Sequence, residues 1–272
     1  PDLAPLRIDL DPAGGAGEAR ALADELASGS REDEVAFRGS ARFVRRLVRP
    51  PRSGAVELGL RERGVLDGLE IRPHVRRDPG PGEVEIEVQS AGLNFRDVLG
   101  ALGLYPGDPG PMGLEVAGRG ARVGAGVSGL DPGRRVIALA TPGFASFAVT
   151  RASLVAPLPD EVSLEEGATV PVAFLTAWQA LVRLGRLAPG ERVLVHAAAG
   201  GVGLAAVQVA RALGAEVLAT ASRGKHAFLH GLGLEHVFDS RTTDFAGRIR
   251  EATGGRGADV VLNSLAGEAI DA

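Results

Sequence analysis

The sequence predicts an α/β protein in which a β-rich domain precedes a doubly wound parallel sheet that is incomplete at its C-terminus. Two observations predict it. Over residues 52–170, short alternating strands are separated by turn signals such as DPGPGE, YPGDPGPMG and GAGVSGLDPGRRV, the pattern of a β-rich, barrel-like domain. Over residues 171–272 strand and helix patterns alternate, which is the signature of a parallel sheet covered by helices.

The elements follow in order. LRIDLDP reads as a strand, GEARALADELASG as an amphipathic helix ended by Gly29, and DEVAFRGSARFVRRLVRP as two alternating strands turned at Arg38-Gly39-Ser40. Pro50-Pro51 closes this unit, residues 1–51. It is too small to hold a core alone, so it is expected to dock on a neighbour or to be the tail of one. EVEIEVQSAGLN alternates charged and apolar residues, as a half-buried strand does, and RRVIALA and FASFAVT read as further short strands. VAFLTAWQALVRLGRL is helical. Then come the strand RVLVHA, the helix GGVGLAAVQVARALG, the strand AEVLATA, the helix KHAFLHGLG, the strand HVFDS, the helix DFAGRIREATG and the strand ADVVLNS. Four such strands are present where a fold of this kind usually has about six. The chain also lacks an initiator Met, and the expectation is a piece of a longer protein.

Composition excludes several functions. The formal net charge of −4 gives no electrostatic reason to expect nucleic acid or an anionic membrane. The longest apolar run is broken by His196, Gln208, Arg211 and Glu216, so no span of a bilayer is predicted. PDLAPLRIDLDP lacks a basic region followed by an apolar core, so this stretch is not expected to be a signal peptide. With no cysteine, disulfides and thiolate metal sites are impossible, and a reducing, cytoplasmic location is expected. The 39 Gly and 17 Pro, with only 4% aromatics, point to many tight turns and a core of Ala, Val and Leu.

VLVHAAAGGVG carries the chemistry. On the G-x-G-x-x-G fingerprint, Ala198 takes the first glycine position, Gly200 the second and Gly203 the third. Gly200 lets backbone approach a pyrophosphate, Gly203 lets helix pack on strand, and the helix start at Gly201-Val202-Gly203 offers unpaired N–H groups to phosphate oxygens. The motif follows a buried strand and opens a helix, the context it requires, so the second part reads as a Rossmann domain; the alternative is a Gly-rich turn without a ligand. Enzymes that take NAD place an acid about 20 residues on, for the ribose 2′-OH. Here VLATASRGK offers Ser222, Arg223 and Lys225, and Arg241 follows the next strand. Cations and a hydroxyl suit a 2′-phosphate, which favours NADPH; the alternative is solvated loop cations.

No metal site is expected. A β-rich domain ahead of a Rossmann domain resembles the medium-chain dehydrogenase/reductase superfamily, whose zinc members carry G-H-E and a catalytic cysteine. This chain reads Gly113, Leu114, Glu115, and its five histidines show no ligand spacing. Glu115 is expected to be structural, as an ion-pair partner.

SAGLNFRDVLGALGLYPG, GLEVAGRG, VPVAFLTAW, VLVHAAAGGVGLAAVQVAR, ATASRGK, DSRTTDF and DVVLNSLAGE together resemble the enoylreductase domain of bacterial modular polyketide synthases, from about Val56 to the end. The first 51 residues resemble the end of the ketoreductase structural subdomain that precedes it. The resemblance implies a GroES-like substrate domain and an NADPH-binding Rossmann domain. It implies reduction of an α,β-unsaturated acyl thioester carried on the phosphopantetheine arm of an acyl carrier protein, beside ketoreductase and dehydratase domains. It assigns Gly200, Gly201, Val202 and Gly203 to the diphosphate and Ser222, Lys225 and Arg241 to the 2′-phosphate. Asn94, Thr176 and Asn263 fall near the nicotinamide, or are satisfied buried polar residues. Tyr105, the sole tyrosine, occupies the position associated with 2S configuration at an α-methyl centre, where a neutral phenol can donate a proton. The family's lysine and aspartate implicated in protonation lie beyond residue 272. A free-standing quinone oxidoreductase of the same superfamily and an inactive scaffold piece are the rival readings.

Overall fold

The computed structural model describes residues 7–12, 14–15, 17–29, 32, 34–39, 41–44 and 54–265. The chain divides into two compact units, Pro1–Ser53 and Gly54–Ala272. Ser40 of the expected turn, the Pro50-Pro51 pair and the closing residues 266–272 lie outside the described residues.

The first unit contains β1 (Arg7–Asp9), α1 (Glu18–Ala27), β2 (Glu34–Arg38) and β3 (Ala41–Val44). They form a three-stranded sheet in the order β1-β2-β3, with β1 and β2 parallel across the helix and β2 and β3 antiparallel. Val35 and Phe37, two residues apart on β2, are buried on one face. Glu25 of α1 is buried because Arg42 of β3 pairs with it, Nη2 to Oε1 at 2.7 Å.

The second unit opens with the hairpin β4 (Val56–Leu60) and β5 (Leu69–Pro73). There follow β6 (Glu83–Gly92), the helix α2 (Phe95–Ala101), β7 (Glu115–Val123), β8 (Arg135–Leu139), β9 (Phe147–Arg151), β10 (Val155–Pro157) and the single turn α3 (Leu164–Gly167). Strands β6 to β10 make an antiparallel sheet in the order β10-β8-β7-β6-β9, packed on Val84, Ile86, Val88, Val116 and Val136. The apolar alternation of β6 supplies that core. Its charged alternation does not all face water, however: Glu85 is fully buried, clasped by Arg122 from β7 and by Arg76. Two arginines supply the charge and hydrogen bonds that a carboxylate out of water requires.

The helix α4 (Pro171–Trp178) joins this sheet to the next part of the unit, touching β7, β8 and the helix α5 (Gly201–Ala212). The expected α-helix is shorter than its apolar pattern, because from Gln179 to Leu184 the backbone continues as a π-helix. Beyond it lie β11 (Arg192–Val195), α5, β12 (Glu216–Ala221), α6 (His226–Gly231), β13 (His236–Asp239), α7 (Phe245–Ala252) and β14 (Val260–Leu262). These four strands are all parallel and stand in the order β13-β12-β11-β14. In chain sequence that is 3-2-1-4, the doubly wound order expected, with its switch point between β11 and β14. Ala205, Ala206, Ala210, Val207 and Val209 bury α5 against the sheet, their small size letting the helix come close. Among the described residues no helix is long and apolar enough to cross a membrane.

Candidate functional site

The turn after β11 is shaped by backbone geometry. Gly200 N donates to Ala197 O at 2.8 Å, and Ala198 N reaches across to Thr220 O of β12 at 3.0 Å. The left-handed residue of the turn is Ala197, with φ +49°, so the tight bend falls one residue before the position aligned to the first fingerprint glycine. Gly203 has no room for a side chain: a Cβ there would lie 2.4 Å from Ala197 O and 2.6 Å from Ala198 Cα. At Gly201 a Cβ would meet nothing within 4 Å. The N–H groups of Gly201, Val202 and Gly203 have no acceptor among the described residues. A cradle of free N–H groups on a helix N-terminus, with backbone exposed by glycine, fits a dinucleotide diphosphate.

Ser222, Lys225, Arg241 and Asn263 line the same edge, because each follows the C-terminal end of a parallel strand. Ser222 follows β12 and caps a 3₁₀ turn that carries Arg223 and Lys225. Arg241 follows β13, and Asn263 follows β14, where its Oδ1 accepts from Leu265 N at 2.7 Å. Asp239 sits among them. Its carboxylate accepts from Arg241 N at 3.0 Å and from Arg223 Nε at 2.7 Å, and these bonds, in that order, hold its pKa below the ordinary carboxylate value. Arg223 thus neutralises Asp239, the acid that closes β13 beside these loops. The side chains of Lys225 and Arg241 are exposed and have no ion-pair partner among the described residues.

At the switch point, His196 is buried between β11 and α7. Its Nδ1 lies 2.8 Å from Thr220 Oγ1 and its ring meets Phe245 edge-on, centroids 5.2 Å apart. Burial pushes its pKa below the usual histidine range, so the ring is neutral at pH 7. A cavity of about 380 Å³ opens beside it, lined by His196, Phe245, Ile249, Val261 and Asn263 among others.

A second cluster lies where the antiparallel sheet meets α4. Asn94 precedes α2, and its backbone N donates to Asp97 Oδ2 at 3.0 Å. The other oxygen of buried Asp97 accepts from Gly113 N at 3.0 Å. Asn94 Nδ2 donates to Glu115 Oε1 at 2.9 Å, and Val172 N, in the first turn of α4, donates to Glu115 Oε2 at 2.7 Å. Thr176 is exposed one helical turn beyond Val172. Glu115 is therefore a hydrogen-bond acceptor and not the expected ion-pair partner: its two oxygens take an amide and a backbone N–H, and no cation pairs with it among the described residues. Asn94 and the helix of Thr176 are brought together through it.

Tyr105 is not part of that cluster. It is half-buried in the turn closing α2, with its N–H donating to Leu99 O at 3.1 Å, and its hydroxyl has no hydrogen bond among the described residues. Asn94 and Tyr105 thus stand at opposite ends of α2, roughly 10 Å apart along its axis. Asp97, Gly92 and Asp239 are not among the residues that the motifs single out. N-F-R-D before an apolar stretch is a helix-start signal, and it identifies Asp97 as well as α2.

Two families match the chain, one described as Alcohol dehydrogenase GroES-like domain over residues 80–160 and one as Zinc-binding dehydrogenase over residues 201–272. A phenolphthiocerol/phthiocerol polyketide synthase polypeptide of Mycobacterium tuberculosis is 45% identical over 97% of this chain. The chain spans 13% of that polypeptide's length. The crystal structure of CurK enoyl reductase is 48% identical with a TM-score of 0.76, covering 80% of this chain and 69% of that one. JamJ enoyl reductase, in its apo form, is 40% identical with a TM-score of 0.75, covering 80% of this chain and 70% of that one.

The chain belongs to the enoylreductase family of polyketide synthases. Its second unit is accordingly a GroES-like domain joined to a Rossmann-type domain, and the enoylreductase fold implies a nicotinamide cofactor. The zinc of the family description finds no fit here. Leu114 and Glu115 stand in the G-x-E stretch, Glu115 is taken by hydrogen bonds, and no group of three or more acidic or histidine side chains converges among the described residues.

Proposed function

We propose that the chain reduces the α,β double bond of an enoyl thioester carried on the phosphopantetheine arm of an acyl carrier protein, using NADPH, during polyketide chain extension. What carries this reading is the glycine cradle at the start of α5 in a chain 48% identical to an enoyl reductase of known structure. Bound NADPH supplies a hydride to the β-carbon. The residues of this chain then divide into three groups. Gly201, Val202 and Gly203 hold the diphosphate by backbone N–H groups, and Gly200, whose own N–H is taken by Ala197 O, lets the backbone come close to it. Ser222, Lys225 and Arg241 hold the 2′-phosphate, with Arg223 cancelling the charge of Asp239 that would otherwise repel it. Asn94, Thr176 and Asn263 flank the nicotinamide.

Hydride addition leaves an enolate that requires stabilisation and a proton at the α-carbon. Tyr105 is the candidate donor in this chain and the marker of a 2S product. The first unit is read as the tail of a neighbouring ketoreductase, with a dehydratase supplying the enoyl thioester. A cysteine-free chain suits the cytoplasm.

The test is direct. Crotonyl- or 2-methylbutenoyl-pantetheine with NADPH should lose nicotinamide absorbance in the presence of the protein, and NADH should serve poorly. Turnover of a quinone without turnover of the thioester would replace this reading with a quinone oxidoreductase. Failure to bind either cofactor would leave a scaffold.

A further inference from the structure

We infer that Glu115 is a positioning residue that fixes the polarity of Asn94, so that Asn94 offers a ligand a hydrogen-bond acceptor and never a donor. The geometry is specific. Glu115 is 4% exposed at the first position of β7, directly opposite Gly92 of β6. A Cβ at position 92 would lie 2.4 Å from Glu115 Oε1, so glycine there makes the seat for the carboxylate. One oxygen is committed to Val172 N at 2.7 Å, which anchors it to α4. The other takes Asn94 Nδ2 at 2.9 Å.

A carboxylate accepts only. Were the Asn94 amide turned over, Oδ1 would face Oε1, acceptor against acceptor in a dry site, so the flip is dictated by Glu115. The second hydrogen of Nδ2 faces Gly92 O at 3.5 Å, a long contact on the same side. Asp97 holds the backbone of Asn94 from the other direction, through the 3.0 Å bond from Asn94 N. Oδ1 also faces the Asp97 N–H in the capping box of α2, and its second lone pair is the group left to a ligand. Taken with the proposed enoyl reduction, on which this inference rests, Asn94 cannot serve the enolate oxygen, which needs donors. It binds an N–H or O–H donor instead, carried either by the nicotinamide nucleotide or by the pantetheine thioester.

Exchanging the two side chains' polarity should therefore restore the site. In Glu115→Gln, Val172 N keeps the remaining oxygen, the new NH₂ faces Asn94, and the amide must turn over to present a donor to the ligand. In Asn94→Asp two carboxylates face each other. In the double variant Asn94→Asp/Glu115→Gln, the introduced glutamine donates to the introduced aspartate and Val172 N keeps its acceptor. The aspartate again presents oxygen to the ligand, at unchanged net charge.

Steady-state kinetics of the full-length protein, with NADPH and crotonyl-pantetheine varied independently, read the result, and a cofactor-binding titration runs alongside. Each single variant should raise one KM about tenfold or more with a smaller change in kcat, and the double variant should return within about threefold of wild type. Which KM moves tells whether the donor belongs to cofactor or thioester. A double variant no better than the worse single one overturns the inference, as does Glu115→Gln with unchanged KM values. Thermal unfolding of each variant separates this from misfolding: if the single variants do not fold, a double variant that folds and binds ligand as wild type supports the swap, and one that folds without binding overturns it. Wild-type protein without thioester turnover would overturn the enoylreductase reading, while binding titrations of NADPH and of crotonyl-pantetheine across the four proteins would still decide the role of Glu115: a tenfold loss for one of them in the single variants with recovery in the swap supports it, and equal affinity for both throughout overturns it.

Discussion

Gly203 stands so close to Ala197 that a Cβ on the glycine would lie 2.4 Å from the alanine's carbonyl oxygen. The helix α5 meets the turn after β11 through bare backbone. Gly203→Ala should therefore force α5 off the sheet, costing about 1–3 kcal/mol of stability and abolishing cofactor binding. Gly201→Ala is the contrast, because its Cβ meets nothing within 4 Å of the protein. It should fold with wild-type stability and lose cofactor affinity only if a ligand approaches that backbone. Thermal unfolding and NADPH titration of the two variants check both expectations.

Lys225 is the sole lysine in the 272 residues, and it is exposed without an ion-pair partner among the described residues. Bound NADPH should shield it from an amine-reactive reagent, and NADH at equal occupancy should shield it less. Lys225→Ala should weaken NADPH binding about tenfold or more and NADH binding little, the loss of one charge-assisted hydrogen bond. Arg223→Ala should act in the same direction by uncovering Asp239, whose carboxylate Arg223 holds at 2.7 Å. Mass spectrometry of the labelled protein and competition titrations measure these effects.

Tyr105 is half-buried, and its hydroxyl is free to act because nothing among the described residues bonds it. Tyr105→Phe should alter the configuration at the α-methyl centre of a reduced 2-methylbutenoyl thioester more than it alters the rate. Chiral analysis of the product checks this, and an unchanged configuration removes Tyr105 from the chemistry.

Acid should destabilise the fold in two windows. Burial alone pushes the Glu85 carboxyl up, but hydrogen bonds and charge from Arg122 and Arg76 more than reverse this and take it from 4.5 down to about 2. A depressed carboxylate contributes stability that is full above 4.5 and lost as pH falls toward about 2. His196 is also depressed, by burial, below its ordinary 6.5. The unfolded chain then binds the proton first, so this contribution is full above pH 6.5 and declines as the pH drops below it. Denaturant unfolding across pH should show stability falling first below about 6.5 and again below about 4.5. Glu85→Gln should shrink the second decline, leaving the part that Glu83 and the other depressed carboxylates contribute, while costing about 3 kcal/mol at pH 7, since two arginines lose their buried partner.

The parallel sheet was legible in the sequence because its signal is local. RVLVHA, AEVLATA, HVFDS and ADVVLNS are short apolar runs separated by helix-period segments, and all four became strands. Other features were hidden because they depend on distant partners or on subtle backbone geometry. Glu85 looks like the wet face of β6 until Arg122, 37 residues on, folds over it. Glu115 looked like half of an ion pair, yet its partners are an amide and a backbone N–H from α4, 57 residues away. The π-helix after Trp178 shares its apolar pattern with an α-helix, so only the backbone distinguishes them. The seven residues of α2 are too few for a periodic signal, so no helix is expected there from the sequence, and only the cap pair Asn94 and Asp97 marks its start.

In the proposed reduction a hydride passes from the nicotinamide ring to the β-carbon of an enoyl thioester. NADPH deuterated at the transferring C4 position, incubated with the protein and crotonyl-pantetheine, tests it in one experiment. The expected product is a saturated butyryl thioester carrying one deuterium on the β-carbon and a solvent-derived hydrogen on the α-carbon. Deuterium on the α-carbon, or oxidation of NADPH with no deuterium in the acyl chain, would contradict it.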